Sequence, residues 1–276
     1  DPSSRFVIDK LALDLHYQNT QFAKNWELAA LLSYQHNTLV PADSGYVLFP
    51  PGAFGGAFPD GMIGAPARKE RNTEANLTGL YTAWPQHKIR VGLGAKSQDL
   101  YEVTEMKNFT FLKMPNGSHV LSPLPGLVQA QGNPDLVYIL PHQRQLWYSF
   151  IQDEWALARD LALTAGVRYD KYSDFGGTTN PRVALVWDAA YSVVLKLIHN
   201  RAFRAPSFSE QFIINNPVQI GNPNIRPEKI ASNELVISWL PSDKLQTNLS
   251  LFQHKTSDLI RQVANADPVT GSTAQN

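Results

Sequence analysis

The sequence predicts an all-β protein, an antiparallel meander of about ten strands with short turns on one side and long loops on the other. Three observations predict it. Apolar and polar residues alternate with period two through nearly every apolar segment, as in a strand whose faces meet different surroundings. Connections run short, long, short, long, short, medium, short, long, short along the chain. Finally, 19 prolines, 17 glycines and 11% aromatic residues favour strands joined by elaborate loops. Greek-key connections would not sort their lengths so regularly; successive hairpins do.

The first strand is expected over 5–17, where Val7, Leu11, Leu13, Leu15 and Tyr17 oppose Lys10, Asp14 and His16. A polar link over 18–24 leads to 25–39, with Trp26, Leu28, Ala30, Leu32 and Tyr34 on one face. Trp26 and Tyr34 lie eight residues apart, roughly 27 Å at strand rise. That is near the ~25 Å apolar band between the aromatic girdles of an outer-membrane barrel, and equally fits a strand facing a core. A Gly- and Pro-rich loop is expected over 40–71. Strands follow at 72–84 and 88–100, joined by a tight turn at Pro85-Gln86-His87. A second long loop spans 105–141, with turn signals at Pro115-Asn116-Gly117 and Pro123/Pro125-Gly126.

Residues 143–156 form the next strand. Its parity is broken around Trp147-Tyr148, as a β-bulge would break it, so its faces stay unassigned. The cleanest alternation follows: Leu161, Leu163, Ala165, Val167 and Tyr169 against Thr164, Arg168 and Asp170. A loop with Gly176-Gly177, then strands at 181–188 and 192–201, lead into a third long loop over 202–229. Strands at 230–240 and 245–256 close the series, and 264–276 read as another loop. Glu27, Glu74, Lys88, Arg90, Arg168, Asp170, Arg182 and Lys196 all fall on the polar parity. A barrel lumen or a solvated sheet face accommodates them, so alternation alone does not choose between the two.

Composition excludes several functions. Lys plus Arg and Asp plus Glu both total 24, so no net charge calls for nucleic acid. The absence of cysteine excludes disulfides, zinc–thiolate sites and thiol catalysis. No apolar run reaches the length of a transmembrane helix, and Asp1-Pro-Ser-Ser opens no signal peptide. Ser207 and Ser209 lack a nucleophile-elbow setting, no phosphate or dinucleotide fingerprint occurs, and no enzyme or cofactor is expected. His16 and His36 on adjacent strands could ligate a metal, and Asp170 with Asp174 could hold calcium. Lumen or surface histidines and a solvated turn are the preferred readings, so no metal is expected.

The least generic stretch is 201–234. It reads RAFRAPSFSE over 201–210, GNPNIRPE over 221–228, then Glu234. Prolines at 206, 217, 223 and 227 argue against a regular helix or a central strand. Phe203, Phe208, Phe212, Ile213 and Ile214 give it enough apolar surface to fold back as an ordered loop. Arg201 and Arg204 are expected to pair with Glu210, Glu228 or Glu234. Such pairs would pin the loop, or touch ligand or plug.

These motifs resemble a signature of TonB-dependent outer-membrane receptors, R-A-P-[ST]-[FL]-x-E followed by G-N-P-x-L-x-P-E and a Glu opening the next strand. Ile225 stands where Leu is common. Gly166-Val-Arg-Tyr-Asp170 with Asn180-Pro-Arg182 resembles the family's preceding hairpin. The resemblance covers most of 143–260. It marks Arg201, Arg204, Pro206, Glu210, Gly221, Asn222, Pro223, Pro227, Glu228 and Glu234 as the residues organising the loop. It implies part of a transmembrane β-barrel in the outer membrane of a Gram-negative bacterium. It also implies uptake of a ferric siderophore or similar scarce nutrient, with the iron chelate as transported ligand rather than cofactor. Family barrels hold more strands than this sequence offers, and they enclose a plug that contacts TonB. The chain is therefore expected to be a barrel fragment over 1–276 without plug or TonB-contacting segment, bordered by lipid and open to self-association at its sheet edges. Ligand contacts in the family come from loop tips and plug apices, so Tyr46, Phe49, Phe54, Phe58, Arg68, Phe109, Phe111 and Phe175 are the candidates. The alternative is a soluble β-rich ligand-binding or adhesion domain.

Overall fold

The computed structural model describes residues 5–42, 46–115, 119–264 and 271–276. Ten antiparallel strands follow one another across a sheet: β1 (Phe6–Ala23), β2 (Trp26–Pro41), β4 (Met62–Tyr81), β5 (His87–Lys113), β7 (His142–Ala156), β8 (Leu161–Tyr172), β9 (Gly176–Ala190), β10 (Val193–Arg204), β12 (Glu228–Ser242) and β13 (Leu245–Ser257). The expected meander of about ten strands is therefore the observed fold. Two short strands extend it at the long-loop end: β3 (Val47–Phe49) pairs with β4, and β6 (His119–Gln131) with the far half of β5. A separate small sheet joins β11 (Gln219–Ile220), β15 (Ser272–Gln275) and β14 (Arg261–Ala264).

The strands outrun their expected bounds, mostly toward the long loops. The polar link over 18–24 is strand up to Ala23, and Asn25 turns the chain at φ 62°. Residues 62–71 of the first expected loop belong to β4, and much of the second loop is a β5–β6 ribbon. Proline misled the reading there. Pro66, Pro123 and Pro125 sit in strands, but β6 has only β5 beside it, and an edge strand tolerates a missing N–H. The turn expected at Pro115-Asn116-Gly117 lies mostly outside the described residues. The medium loop shrinks to 173–175, closed by Gly176 at φ 92°.

Nor does β7 bulge at Trp147-Tyr148, because its register with β5 and β8 runs unbroken through both residues. The parity looked broken because both faces carry an aromatic ring. Trp147 lies in the row of Ala95 and Ala75. Tyr148 lies across Gly94 and donates its hydroxyl to Glu74 Oε1 at 3.1 Å. A Cβ on Gly94 would sit 2.3 Å from that ring, so the inward aromatic requires glycine opposite it.

Pairing sorts the side chains into two faces. One carries Leu13, Leu32, Leu77, Leu93, Ile151, Val167, Val183, Leu197 and Leu251, all at least two-fifths exposed. Trp26, Tyr81, Trp155, Trp187 and Trp239 rim this apolar belt at the short-turn end. Tyr34, Trp147 and Tyr169 rim it at the other. Trp147 and Trp155 repeat on β7 the eight-residue interval of Trp26 and Tyr34. The opposite face holds Glu74 beside Lys96, and Asp170 chelated by Arg168 at 2.7–3.0 Å. An apolar belt between aromatic rims, backed by a polar face, is the pattern of a sheet with lipid outside and a lumen inside. A soluble sheet would have to cover that belt; here it stands open along its length.

Close-packed apolar residues gather beyond the belt, at the long-loop end. One cluster joins Leu100, Val103, Ala130, Val137, Tyr138, Ile139 and Ile213; another joins Phe58, Met62 and Phe109. The long loops are thus folded structures resting on strand extensions. Among the described residues no helix is long and apolar enough to cross a membrane.

Candidate functional site

The third long loop is tied down around Arg204, at the end of β10. Its Nη atoms donate to both oxygens of Glu210 at 3.0 Å, and its Nε donates to Glu228 Oε2 at 2.6 Å. Glu228 opens β12 and accepts the Ile260 amide at 2.9 Å through its other oxygen. One guanidinium therefore ties together both ends of the loop and the start of the next excursion. The hydrogen bonds that Arg204 donates to Glu228 and Glu210 raise its pKa. The bond from Arg204 holds Glu228 below the usual carboxylate range. Burial pushes Glu210 upward, but its bonds from Arg204 and Ser207 outweigh that and leave it lowered.

Against expectation, the loop contains a helix, α1 (Phe208–Phe212). It is a single turn, flanked by the prolines at 206 and 217. Ser207 caps it, and Glu210 returns a bond to the Ser207 amide at 2.7 Å, forming a capping box. Glu210 is thus shared between the helix start and Arg204. The second motif closes over α1: the Gly221 amide donates to Ile213 O at 2.7 Å and the Asn222 amide to Glu210 O at 2.9 Å. A Cβ on Gly221 would lie 2.5 Å from the Gln211 carbonyl carbon, so only glycine permits this approach. Asn222 also donates to Ala274 O at 3.1 Å. Pro206, Ile225 and Pro227 are buried, whereas Pro223 is exposed.

Arg201 and Glu234 do not join this cluster. Arg201 pairs across to Ala231 and so lies on the apolar-belt face, the opposite side from Arg204. Glu234 lies on the polar face and accepts from Ser250 at 2.8 Å. The expected pairing holds for Arg204 with Glu210 and Glu228, whereas the one expected for Arg201 overlooked strand alternation.

The residue that the sequence reading missed is Arg144, only 5% exposed. Its guanidinium donates to Asp174 at 2.7 Å, to Pro206 O at 2.8 Å and to Gln211 Oε1 at 2.6 Å. It also lies against the rings of Phe208 and Phe175, at 4.9 and 5.3 Å. Arg144 links β7, the β8–β9 hairpin and the third loop. Its inward parity follows once Trp147 is placed outward. Asp174 is therefore an ion-pair partner of Arg144 and Asp170 a buried partner of Arg168, rather than parts of a solvated turn. His16 and His36 occupy opposite faces, and His36 bonds the Tyr101 hydroxyl at 2.8 Å. Among the described residues no cluster of His, Asp and Glu could hold a metal.

The aromatic contact candidates separate into groups. Phe58 and Phe109 are buried, with Phe49 and Phe111 packed on their cluster, so these four hold the first long loop against the β5–β6 ribbon. Tyr46 stacks on Phe6, and Phe175 on Tyr172 at 4.3 Å. Phe54 is half exposed at a loop tip. Arg68 pairs with Glu70 at 2.9 Å and lines a cleft of about 220 Å³ with Asn72, Gln98, Tyr138, Arg144 and Ser207. Beside it, Glu105 and Lys107 form a buried pair 3.6 Å apart, with Lys107 donating to Leu136 O at 2.7 Å. Burial pushes Glu105 up to about 7 and lowers Lys107.

Comparison with known proteins supplies the family. The profile of the TonB dependent receptor-like, beta-barrel family matches residues 2–276. An iron-regulated outer membrane virulence protein of Vibrio cholerae is 33% identical over 123 residues, covering 43% of this chain and 19% of that protein. A heme/hemopexin utilization protein C of Haemophilus influenzae is 27% identical over 133 residues, covering 39% and 19%. The chain thus matches about a fifth of each relative's length. A mutant ferric enterobactin receptor, PfeA of Pseudomonas aeruginosa, superimposes with TM-score 0.67 at 16% identity, over 97% of this chain and 38% of that one. A double mutant of the Serratia marcescens hemophore receptor HasR, in complex with its hemophore HasA and heme, gives 0.66 at 12%, over 100% and 44%. Both share the fold. With its outward belt, aromatic rims and lumen-facing charges, this chain belongs to the TonB-dependent receptor β-barrel family and sits in the outer membrane of Gram-negative bacteria.

Proposed function

We propose that this sheet is part of the barrel of a receptor that imports an iron chelate, a ferric siderophore or haem, across the outer membrane. The carrying observation is the ordered wall at the long-loop end of the polar face. Arg144 fixes the third loop beside a cleft lined by Arg68, Glu70, Asn72, Gln98, Asp99 and Tyr138, and Arg204 fixes that loop's two ends. Arg68, held by Glu70 at 2.9 Å, stands beside amide and phenol groups, a set of donors that suits an oxygen-rich ligand. The names of the relatives, iron-regulated in one case and haem-utilising in another, support iron as the cargo. Transport requires a plug and a TonB-contacting segment, supplied by other parts of the receptor.

Growth under iron limitation tests this reading. A strain whose only receptor is the full-length protein should grow on a ferric siderophore or on haem, and only with functional TonB. Arg68→Ala should raise the chelate concentration needed for half-maximal growth about tenfold, the scale of one charge-assisted contact. Growth on neither source, or growth without TonB, would refute it.

A further inference from the structure

The outward faces of β8, β9, β10, β12 and β13 carry no carboxylate. They carry four cations, Lys171, Arg201, Lys229 and Lys255, all at the long-loop ends of their strands. Elsewhere on the same rim, cations are matched: Arg71 pairs with Asp99 at 2.8 Å and Lys69 with Glu102 at 2.9 Å. Lys229 meets Asp258 at 3.2 Å, but Asp258 also takes Arg226 at 2.9 Å. The side chains of Lys171, Arg201 and Lys255 have no ion-pair or hydrogen-bond partner among the described residues.

The layering beneath them is ordered by polarity. Leu197, Leu235 and Leu251 form one row across β10, β12 and β13. His199, Asn233 and Gln253 form the next, and Arg201, Ala231 and Lys255 the third. Arg201 and Lys255 are thus two strand spacings apart, about 10 Å. An open groove runs below, lined by Leu185, Leu197, His199, Leu235 and Leu251. Apolar groove, polar hydrogen-bonding layer and cations follow one another as acyl chains, linkage region and phosphate do in a lipid.

We propose that this strip binds a phosphorylated, multi-acyl lipid of the outer leaflet. Its phosphate would lie on Arg201 and Lys255, flanked by Lys229, and its chains in the groove. The proposal rests on the outer-membrane reading. It assigns a task to Arg201, which the loop motif contains and the loop does not use.

The test uses the full-length receptor in non-ionic detergent, with lipid retention read by native mass spectrometry. The probes are bisphosphorylated lipid A, its dephosphorylated form, and inorganic phosphate. The wild type should retain the bisphosphorylated lipid, bind the dephosphorylated form far more weakly and show no comparable affinity for phosphate alone. The double variant Arg201→Gln/Lys255→Gln should lose about thirtyfold in affinity, as two interfacial cations contribute. Lys196→Gln, on the polar face, should change nothing. Equal binding by the double variant, or indifference to the lipid's phosphates, would overturn the proposal. Heat-modifiable gel mobility of the same samples reports barrel formation, so failure of the outer-membrane reading shows separately.

Discussion

At the scale of single residues, two arginines carry the ordered end of the sheet by different means. Arg144 is buried and bonded through all three of its guanidinium nitrogens, and its loss strands Gln211, the Pro206 carbonyl and Asp174. Arg144→Leu should cost about 3–5 kcal/mol locally, the scale of breaking a buried pair, and expose 205–227 to protease. Arg144→Lys should not rescue it, since a point charge cannot reproduce three directed bonds. Arg204 is half exposed, so Arg204→Ala should cost only about 1 kcal/mol and loosen the same loop less. Its partners add a pH dependence. Glu210 and Glu228 titrate below 4.5 when folded, so their contribution is present above that value and lost as pH falls through the folded pKa values. Limited proteolysis of the loop should accelerate as pH falls below 4.5, and Glu228→Gln should flatten the profile. Of these two residues, Arg204 was legible in the motif, whereas Arg144 was not. It sits in a strand whose parity two adjacent aromatics disguised.

At the scale of elements, the long loops behave as folded attachments whose order rests on close approach. Gly221→Ala would press a methyl against the Gln211 carbonyl and should undock the second motif from α1, at about 1–3 kcal/mol. Loop proteolysis with the barrel still formed would show the effect; an unchanged digestion pattern would contradict it. The β5–β6 ribbon carries the buried Glu105–Lys107 pair. Glu105 titrates at about 7 when folded against 4.5 ordinarily. The protonated form is therefore favoured by folding, and that contribution is complete below 4.5 and fades as pH rises through about 7. Amide exchange over 136–139, corrected for intrinsic rates, should be slower at pH 5 than at pH 8. Glu105→Gln should remove the difference. Neither ribbon nor helix was legible beforehand. Prolines that usually punctuate a loop here lie on an edge strand or bracket a single turn, and local composition does not report which edges lack a neighbour.

At the scale of the whole molecule, strand order, the alternation of faces and the sorting of short from long connections were all readable in the sequence. A period of two and the spacing of turns are local properties that survive folding unchanged. Which face meets lipid was not readable from alternation, because core and bilayer demand the same residues. Registration across ten strands settles it: exposed aliphatic side chains from nine of them form one belt, while Glu74 with Lys96 and Arg168 with Asp170 pair on the other face. The direct measurement is lipid contact. In the full-length receptor, single cysteines at Leu93, Ile151 and Val167, and at Gln152, Thr164 and Lys196, would be labelled with a fluorophore in membranes. The cysteine-free sequence 1–276 adds no competing thiol. A lipid-phase quencher should dim the first three labels and spare the second three. Equal quenching of both sets, or quenching of neither, would contradict the placement of the apolar face against the bilayer.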